Sequence, residues 1–302
     1  MREGKGICTK NKSDKNSNKG TKSIRIIKAD ALTSAVRDLC IRTNVRLRDD
    51  IRCALESSCA KETNPLSKFA LQKLLQNADI AHNKQMPVCQ DTGMAVVYVK
   101  IGQAVHIDGD VDWAINKGVR LGYRDGYLRA SIVCDPIDRV NTEDNTPAVI
   151  HYSFVAGDTV EIIFAPKGFG SENMGAVSML TPSAGLNGIE DFVVQVIKKA
   201  GANPCPPIVV GVGVGGTMEK CVLLAKEALL QDIGGGNPDP MWHDVEKRLL
   251  QRINALGIGA AGFGGDTTAL AVHIKTYPTH IAGLPVAVCI NCNVARHESV
   301  II

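Results

Sequence analysis

The sequence predicts a mixed α and β fold in a single domain, and three observations carry that expectation. Apolar residues recur at helical spacing through roughly the first eighty positions; β-branched and aromatic runs set in from Ala95; and helix-period and strand-like stretches then follow one another with no repeat, heptad array or long linker to divide them. Leu32, Ala35, Val36, Leu39 and Cys40 mark a first helix, and Ile51, Ala54 and Leu55 a second. Asn64 followed by Pro65 is a favourable helix start, and Leu66, Phe69, Ala70 and Leu74 continue a third apolar stripe toward Asn77. AVVYVKI from Ala95, AVIHYSFV from Ala148 and VEIIF from Val160 have strand chemistry, with a helix expected between Val111 and Leu121. Further on, EDFVVQVIKKA closes on Gly201 and DVEKRLLQRINAL on Gly257, each glycine placed to end a helix. IVVGVGV and PVAVCIN read as buried strands, and Glu219 to Leu230 as a helix between them.

At 302 residues and 45% hydrophobic content the chain has ample material for a core. No apolar run reaches the roughly 18 residues of a membrane span, and the start lacks the apolar centre of a secretory signal, so a cytoplasmic protein is expected. The net charge of +3 is unevenly placed: residues 1–22 hold seven Lys or Arg against Glu3 and Asp14, which leaves the remainder slightly acidic. That remainder does not look like a nucleic-acid-binding surface. Residues 1–22, rich in Lys, Asn, Ser and Gly, read as a disordered basic tail, and residues 23–302 as the folded domain.

Ten cysteines in a chain of this size without a secretion signal point to thiols in a reducing compartment, serving metals or filling core positions. Cys40, Cys53 and Cys221 lie in helical patterns and read as core, and Cys8 as tail. Three others sit in distinctive runs: Cys89 in PVCQDTG, Cys205 in NPCPPIVVGVGVGGT and Cys292 in NCNVARH. They read as one metal site, since soft thiolates favour iron-sulfur clusters or zinc, and three of them leave one iron of a cubane open. Taken alone, Gln90, Asp91, Thr92 and Gly93 fit an ordinary polar turn before a strand as well as a catalytic one. GVGVGG, Gly211 to Gly216, fits a dinucleotide fingerprint, which would make the chain an NAD-dependent oxidoreductase. Its context argues against that, because Asp232 directly follows a helix with no strand between, and a tight turn after Cys205 explains the glycines more simply. Cys289 and Cys292 form a lone C-x-x-C, without a second pair to complete a zinc site.

Six blocks stand in order from Cys89 to His297, CQDTGMAVVYVKIGQAVHI, YLRASIVCDPIDRVNTEDNTPAVIH, KGFGSENMGAVSMLTPSAG, CPPIVVGVGVGGT, GIGAAGFGGDTTAL and PVAVCINCNVARH, within a likeness that extends over roughly residues 25–298. In these the chain resembles class I fumarate hydratases and the related L(+)-tartrate dehydratases, most of all the alpha subunit of the two-subunit iron-sulfur fumarase. The resemblance implies a 4Fe-4S cluster held by Cys89, Cys205 and Cys292, with one iron not ligated by protein. It implies Gln90, Arg129 and Gly170 as substrate-binding residues, Asp91 as proton donor to the leaving hydroxyl, and Cys289 as a strand residue. His297 is then structural or adjacent to the ligands, and Arg139, Asn141 and Asp144 belong to a loop near the site. The implied reaction is the reversible hydration of fumarate to (S)-malate, or alternatively dehydration of L(+)-tartrate to oxaloacetate. A small dicarboxylate is the substrate, a beta subunit supplies the base, and a dimer of alpha-beta pairs is expected. One departure stands out: where the family shows three consecutive glycines, this chain has Phe169 in the middle. Phe169 raises a question about the local backbone angle and the substrate range.

Overall fold

A computed structural model describes residues 24–302; the expected tail, residues 1–22, lies outside the described residues. The chain runs β1 (Arg25–Lys28), α1 (Ala29–Val45), α2 (Asp49–Lys61), α3 (Pro65–Lys84), β2 (Met94–Gly102), β3 (Val105–Asp108), α4 (Val111–Asp125), β4 (Val149–Val155), β5 (Val160–Lys167), α5 (Phe169–Glu172) and β6 (Ala176–Leu180). It continues through α6 (Gly185–Ala200), β7 (Ile208–Gly215), α7 (Met218–Ala228), α8 (Pro240–Asn254), β8 (Ala269–Tyr277), β9 (Leu284–Asn291) and β10 (Glu298–Ile301). The expected class, mixed α and β in one domain, is what forms.

Two four-stranded mixed sheets, ordered β10-β5-β2-β4 and β6-β9-β7-β8, are accompanied by a short parallel pair, β1 with β3. The layers follow from which residues are apolar. Leu32, Val36 and Leu39 of α1 and Ile115 and Val119 of α4 bury against Val97 and Val99 of β2 and Ile162 and Phe164 of β5. Val193 and Ile197 of α6 and Leu249 and Ile253 of α8 cover one face of the second sheet through Val210, Val212 and Val288. Its other face takes α7, α2 and α3, with Cys221, Ala225, Ile51, Leu55 and Leu71 packed against Val209, Ala271 and Ala287. The connection between the two sheets is α7 itself, since Leu223, and Leu230 just beyond the helix, also pack on Val96, Tyr98 and Ile163 of the first. Five layers result, with α7 in the middle, and β7 is buried along its whole length.

Local chemistry sets the helix ends. The Asn64 side chain accepts from the Leu66 and Ser67 amides with Pro65 in the first turn, and Asp110 and Asp239 do the same for α4 and α8, each cap contributing about 1 kcal/mol. Gly201 ends α6 in a positive-φ conformation as expected, whereas α8 ends at Asn254 and Gly257 turns the chain only afterwards. Helix α3 runs past Asn77 to Lys84, and its buried side is Ser67, Ala70, Leu71, Ala78 and Ala81; Leu66 and Phe69 face outward. Cys53, expected in the core, is exposed on α2, while Cys40 and Cys221 are buried as expected.

The glycines of GVGVGG correct the turn explanation. Gly211 and Gly213 lie inside β7, not in a turn. A Cβ on either would collide with backbone of α7, the carbonyl oxygens of Ala225 and Cys221 respectively. They let the central helix sit directly on the strand. Only Gly215 and Gly216, both at positive φ, form the turn into α7.

Candidate active site

The two sheets place their working ends together. Met94 at the start of β2 pairs with Lys167 at the end of β5, and Val209 near the start of β7 pairs with Asn291 at the end of β9. Cys89 precedes β2, Cys205 precedes β7 and Cys292 directly follows β9, so all three thiols leave from these ends. Lys167 joins the sheets: its buried Nζ donates to the Ile290 carbonyl oxygen and to Ser171 Oγ, both at 2.7 Å. Asn293 donates through its backbone N–H (3.1 Å) and Nδ2 (2.8 Å) to the Cys205 carbonyl, which fixes the second thiol segment to the third.

The thiols feel one another. Burial pushes the Cys205 thiol up, and the charges of Cys292 and Cys89 add to the shift. Burial also raises Cys89, opposed by the Asp91 amide and by the positive charge of Arg296. Cys205 sits at φ 56°, a left-handed conformation that a non-glycine residue holds only where its surroundings enforce it. Cys289 is buried in β9 as expected, its thiol lifted by burial to about 11.

Asp91 is held from three sides. Its Oδ1 accepts from the Gly93 amide and its Oδ2 from the Phe169 amide at the start of α5, each at 3.0 Å. Its backbone carbonyl accepts from Arg296 Nη2 at 2.9 Å, while Arg296 Nη1 reaches Asn44 Oδ1 at 2.8 Å. Thr92 Oγ1 accepts from the Arg129 amide at 3.0 Å, and the Tyr123 hydroxyl lies 2.9 and 2.7 Å from the Thr92 and Gly93 carbonyls. Burial keeps that phenol well above its ordinary pKa, hence protonated. Asn145, fully buried, spans Gly93 and Ser131. The Asp91–Gly93 turn and the Arg129–Ser131 segment therefore form one hydrogen-bonded unit.

That unit borders a cleft of about 750 Å³, whose lining includes Asp91, Arg129, Arg139, Asn141, Phe169 and Asn173. Neither Arg129 nor Arg139 is in an ion pair among the described residues; the nearest acceptor to the Arg139 guanidinium is the Pro136 carbonyl at 3.5 Å. Asp144 turns away, bonded to Arg120 at 2.7 Å and to Thr146. Gln90 is exposed, its Oε1 3.5 Å from the Cys89 sulfur. Gly170 is the second residue of α5, where an N–H has no acceptor inside the helix. Phe169 opens α5 at an ordinary helical position, not one of the positive-φ residues, so the replacement of glycine there brings no backbone strain. Beneath α5, Lys226 and Lys167 flank Glu172; burial works to raise that carboxyl, but the two ammonium groups outweigh it and hold it below the usual range.

His297 is not in this cleft. It accepts at Nδ1 from Arg48 (2.8 Å), within a network that also ties Arg48 to Asp50 and Asp232, and burial together with Arg48 lowers its pKa to about 3. This network lines a separate cleft of about 610 Å³ with its charges paired to one another. Sequence reasoning named Thr92 only as part of a polar turn, and missed Lys167, Arg296, Tyr123 and Asn145. All but Tyr123 stand inside the six blocks quoted above, and a polar residue flanking a ligand or an acid was the available signal.

The chain is 41% identical over 268 residues to the putative L(+)-tartrate dehydratase subunit alpha of Methanocaldococcus jannaschii, covering 86% of this chain and 94% of that one. It is 30% identical over 275 residues to the L(+)-tartrate dehydratase subunit alpha of Escherichia coli K12, covering 90% of each. These relatives, together with the family match, make the chain a hydro-lyase. The match to the family model described as fumarate hydratase (Fumerase) extends over residues 33–301. The chain belongs to the fumarate hydratase family.

Proposed function

We propose that this chain is the alpha subunit of a 4Fe-4S hydro-lyase that interconverts fumarate and (S)-malate, with its functional domain spanning residues 23–302. The observation that carries the reading is the cleft in which Asp91 shares space with Arg129 and Arg139, two guanidinium groups that no carboxylate among the described residues neutralises. Such a site attracts a dianion. Arg129, fixed through its backbone by Thr92, can grip one carboxylate of the substrate with two parallel hydrogen bonds. Hydroxide is a poor leaving group unless protonated as it departs, and in this reading Asp91, held by the Gly93 and Phe169 amides, supplies that proton. Gln90 and the Gly170 amide are further contacts in this reading.

Cys89, Cys205 and Cys292 would hold the cluster. Their chemistry fits: three thiols within one another's electrostatic reach, with the cations Lys167 and Arg296 nearby to offset thiolate charge. Among the described residues no three His, Cys, Asp or Glu side chains are gathered as closely as a single metal ion requires, whereas a cubane spreads its ligands over separate irons. When bound, such a cluster supplies a Lewis-acidic iron that no protein thiolate occupies.

The base that takes the C3 proton belongs, in this reading, to a beta subunit, as the relatives' designation as alpha subunits supports. A dimer of alpha-beta pairs and a cytoplasmic location complete the proposal. Among the described residues no helix is long and apolar enough to cross a membrane, and a reducing compartment suits the thiols. The second reading, L(+)-tartrate dehydratase, is favoured by the names of the relatives. Anaerobic co-purification with the beta subunit, followed by assays on fumarate, (S)-malate and L(+)-tartrate, tests both. Cluster-loaded complex inactive on all three would overturn the proposal.

A further inference from the structure

We infer that Phe169 is a specificity-determining residue, whose ring makes the site favour C4 dicarboxylates with no polar group on C3, such as (S)-malate, over those with a C3 hydroxyl, such as tartrate. This rests on the hydro-lyase reading of the cleft. The backbone N–H of Phe169 donates to Asp91 Oδ2 at 3.0 Å, so the ring springs from a residue in contact with the proton-handling carboxylate. The side chain is 47% exposed, and it lines the same cleft as Asp91 and Arg129. It also lines an adjoining pocket of about 280 Å³, where Met94, Val96, Val222 and Leu223 stand beside Lys167, Glu172, Glu219 and Lys226, so the ring is an apolar group shared by the two spaces.

A substrate close enough to Asp91 to receive a proton on its C2 hydroxyl has C3 one carbon–carbon bond away, and in this inference the ring, rooted on the residue that holds Asp91, is what C3 meets. Hydrogen on C3 meets the ring without loss. A hydroxyl there gives up its water and receives no acceptor or donor from phenyl carbon in exchange. Apolar sites reject an added hydroxyl by about 10- to 100-fold, and we expect a preference of that size here. Phe169 is at an ordinary helical φ and half exposed, and its bond to Asp91 runs through the backbone, so smaller side chains keep the carboxylate in place.

The test uses the cluster-loaded alpha-beta complex carrying wild-type chain, Phe169→Ala, Phe169→Ser or Phe169→Leu. kcat/KM is measured for (S)-malate and L(+)-tartrate, and binding of succinate and meso-tartrate by calorimetry. Wild type should favour malate and succinate by about 10- to 100-fold, the Ala and Ser variants should compress both ratios to about threefold, and Leu should keep most of the bias. A wild-type preference for tartrate, or ratios unchanged in the Ala and Ser variants, overturns the inference. No turnover of either substrate, with a binding bias that the Ala and Ser variants remove, would sink the hydro-lyase reading and keep the role of Phe169. Absence of both turnover and binding would sink both.

Discussion

Replacing Asp91 by Asn separates its two possible duties. Each carboxylate oxygen accepts one backbone N–H, from Gly93 and from Phe169. Asparagine offers a single acceptor, so one of these amides must face an NH2 group instead. Leaving one of these amides without its acceptor costs about 1–3 kcal/mol. For a chain of this size that corresponds to a melting temperature lower by roughly 2–5 °C. Removing a positioned acid separately lowers turnover by about 10²- to 10⁴-fold. Both effects should appear together when the alpha-beta complex is assayed anaerobically, with fumarate followed by its ultraviolet absorbance and stability by thermal melting. A variant that melts earlier by this amount yet turns over within about threefold of wild type would show that Asp91 braces the Phe169 loop and does not donate the proton.

The His297 pKa of about 3 lies below its ordinary 6.5, so the folded protein disfavours the protonated ring; stability is fully present above about pH 6.5 and falls as the pH drops toward 3. Between pH 7.5 and 5 this group should cost about 2 kcal/mol in urea unfolding, and His297→Gln should remove that part of the slope; equal slopes in the two proteins would contradict it. Serine at Cys89, Cys205 or Cys292 should abolish iron and sulfide retention after anaerobic reconstitution, while Cys289→Ser should retain both; the reverse result at 289 and 292 would reassign the ligand. Gly213→Ala should destabilise the protein by about 2–4 kcal/mol, because its Cβ meets the backbone of α7, where no side chain can yield; a midpoint of denaturation unchanged from wild type would refute the close-packing explanation.

What the sequence revealed was whatever local chemistry decides. Asn64-Pro65 announces α3, and the uniform β-branched runs announce β2, β5, β7 and β9, because capping and strand burial leave their mark within a few residues. The four-residue strands β1, β3 and β10 escaped reading since RIIK, VHID and ESVI are too short and too mixed to show a period. Leu66 and Phe69 misled for a related reason: they continue an apolar stripe, but the surface that α3 meets is set by its tilt against α2 and the loop around Gly264, which periodicity does not encode. The site residues split in the same way. Cys89, Asp91 and Arg129 stand in blocks whose composition is distinctive. Lys167 and Arg296, by contrast, look like any exposed cation until the ends of β5 and β9 bring a carbonyl, or Asn44 and the Asp91 backbone, within reach.

The meeting of strand ends from two sheets has a consequence for the unfolded chain. Cys89, Cys205 and Cys292 are separated by about 115 and about 85 residues, so any group that binds all three closes two very long loops at once, and a crosslink over such spans removes about 4–5 kcal/mol of denatured-state entropy per loop. Occupancy of the proposed three-thiol site would thereby also clamp the topology, holding the first sheet to the second from outside the hydrophobic core. Loss of that clamp should show first as slow separation of the two halves, registered by amide exchange in the segments before β2 and β7 ahead of any change in the helices behind them.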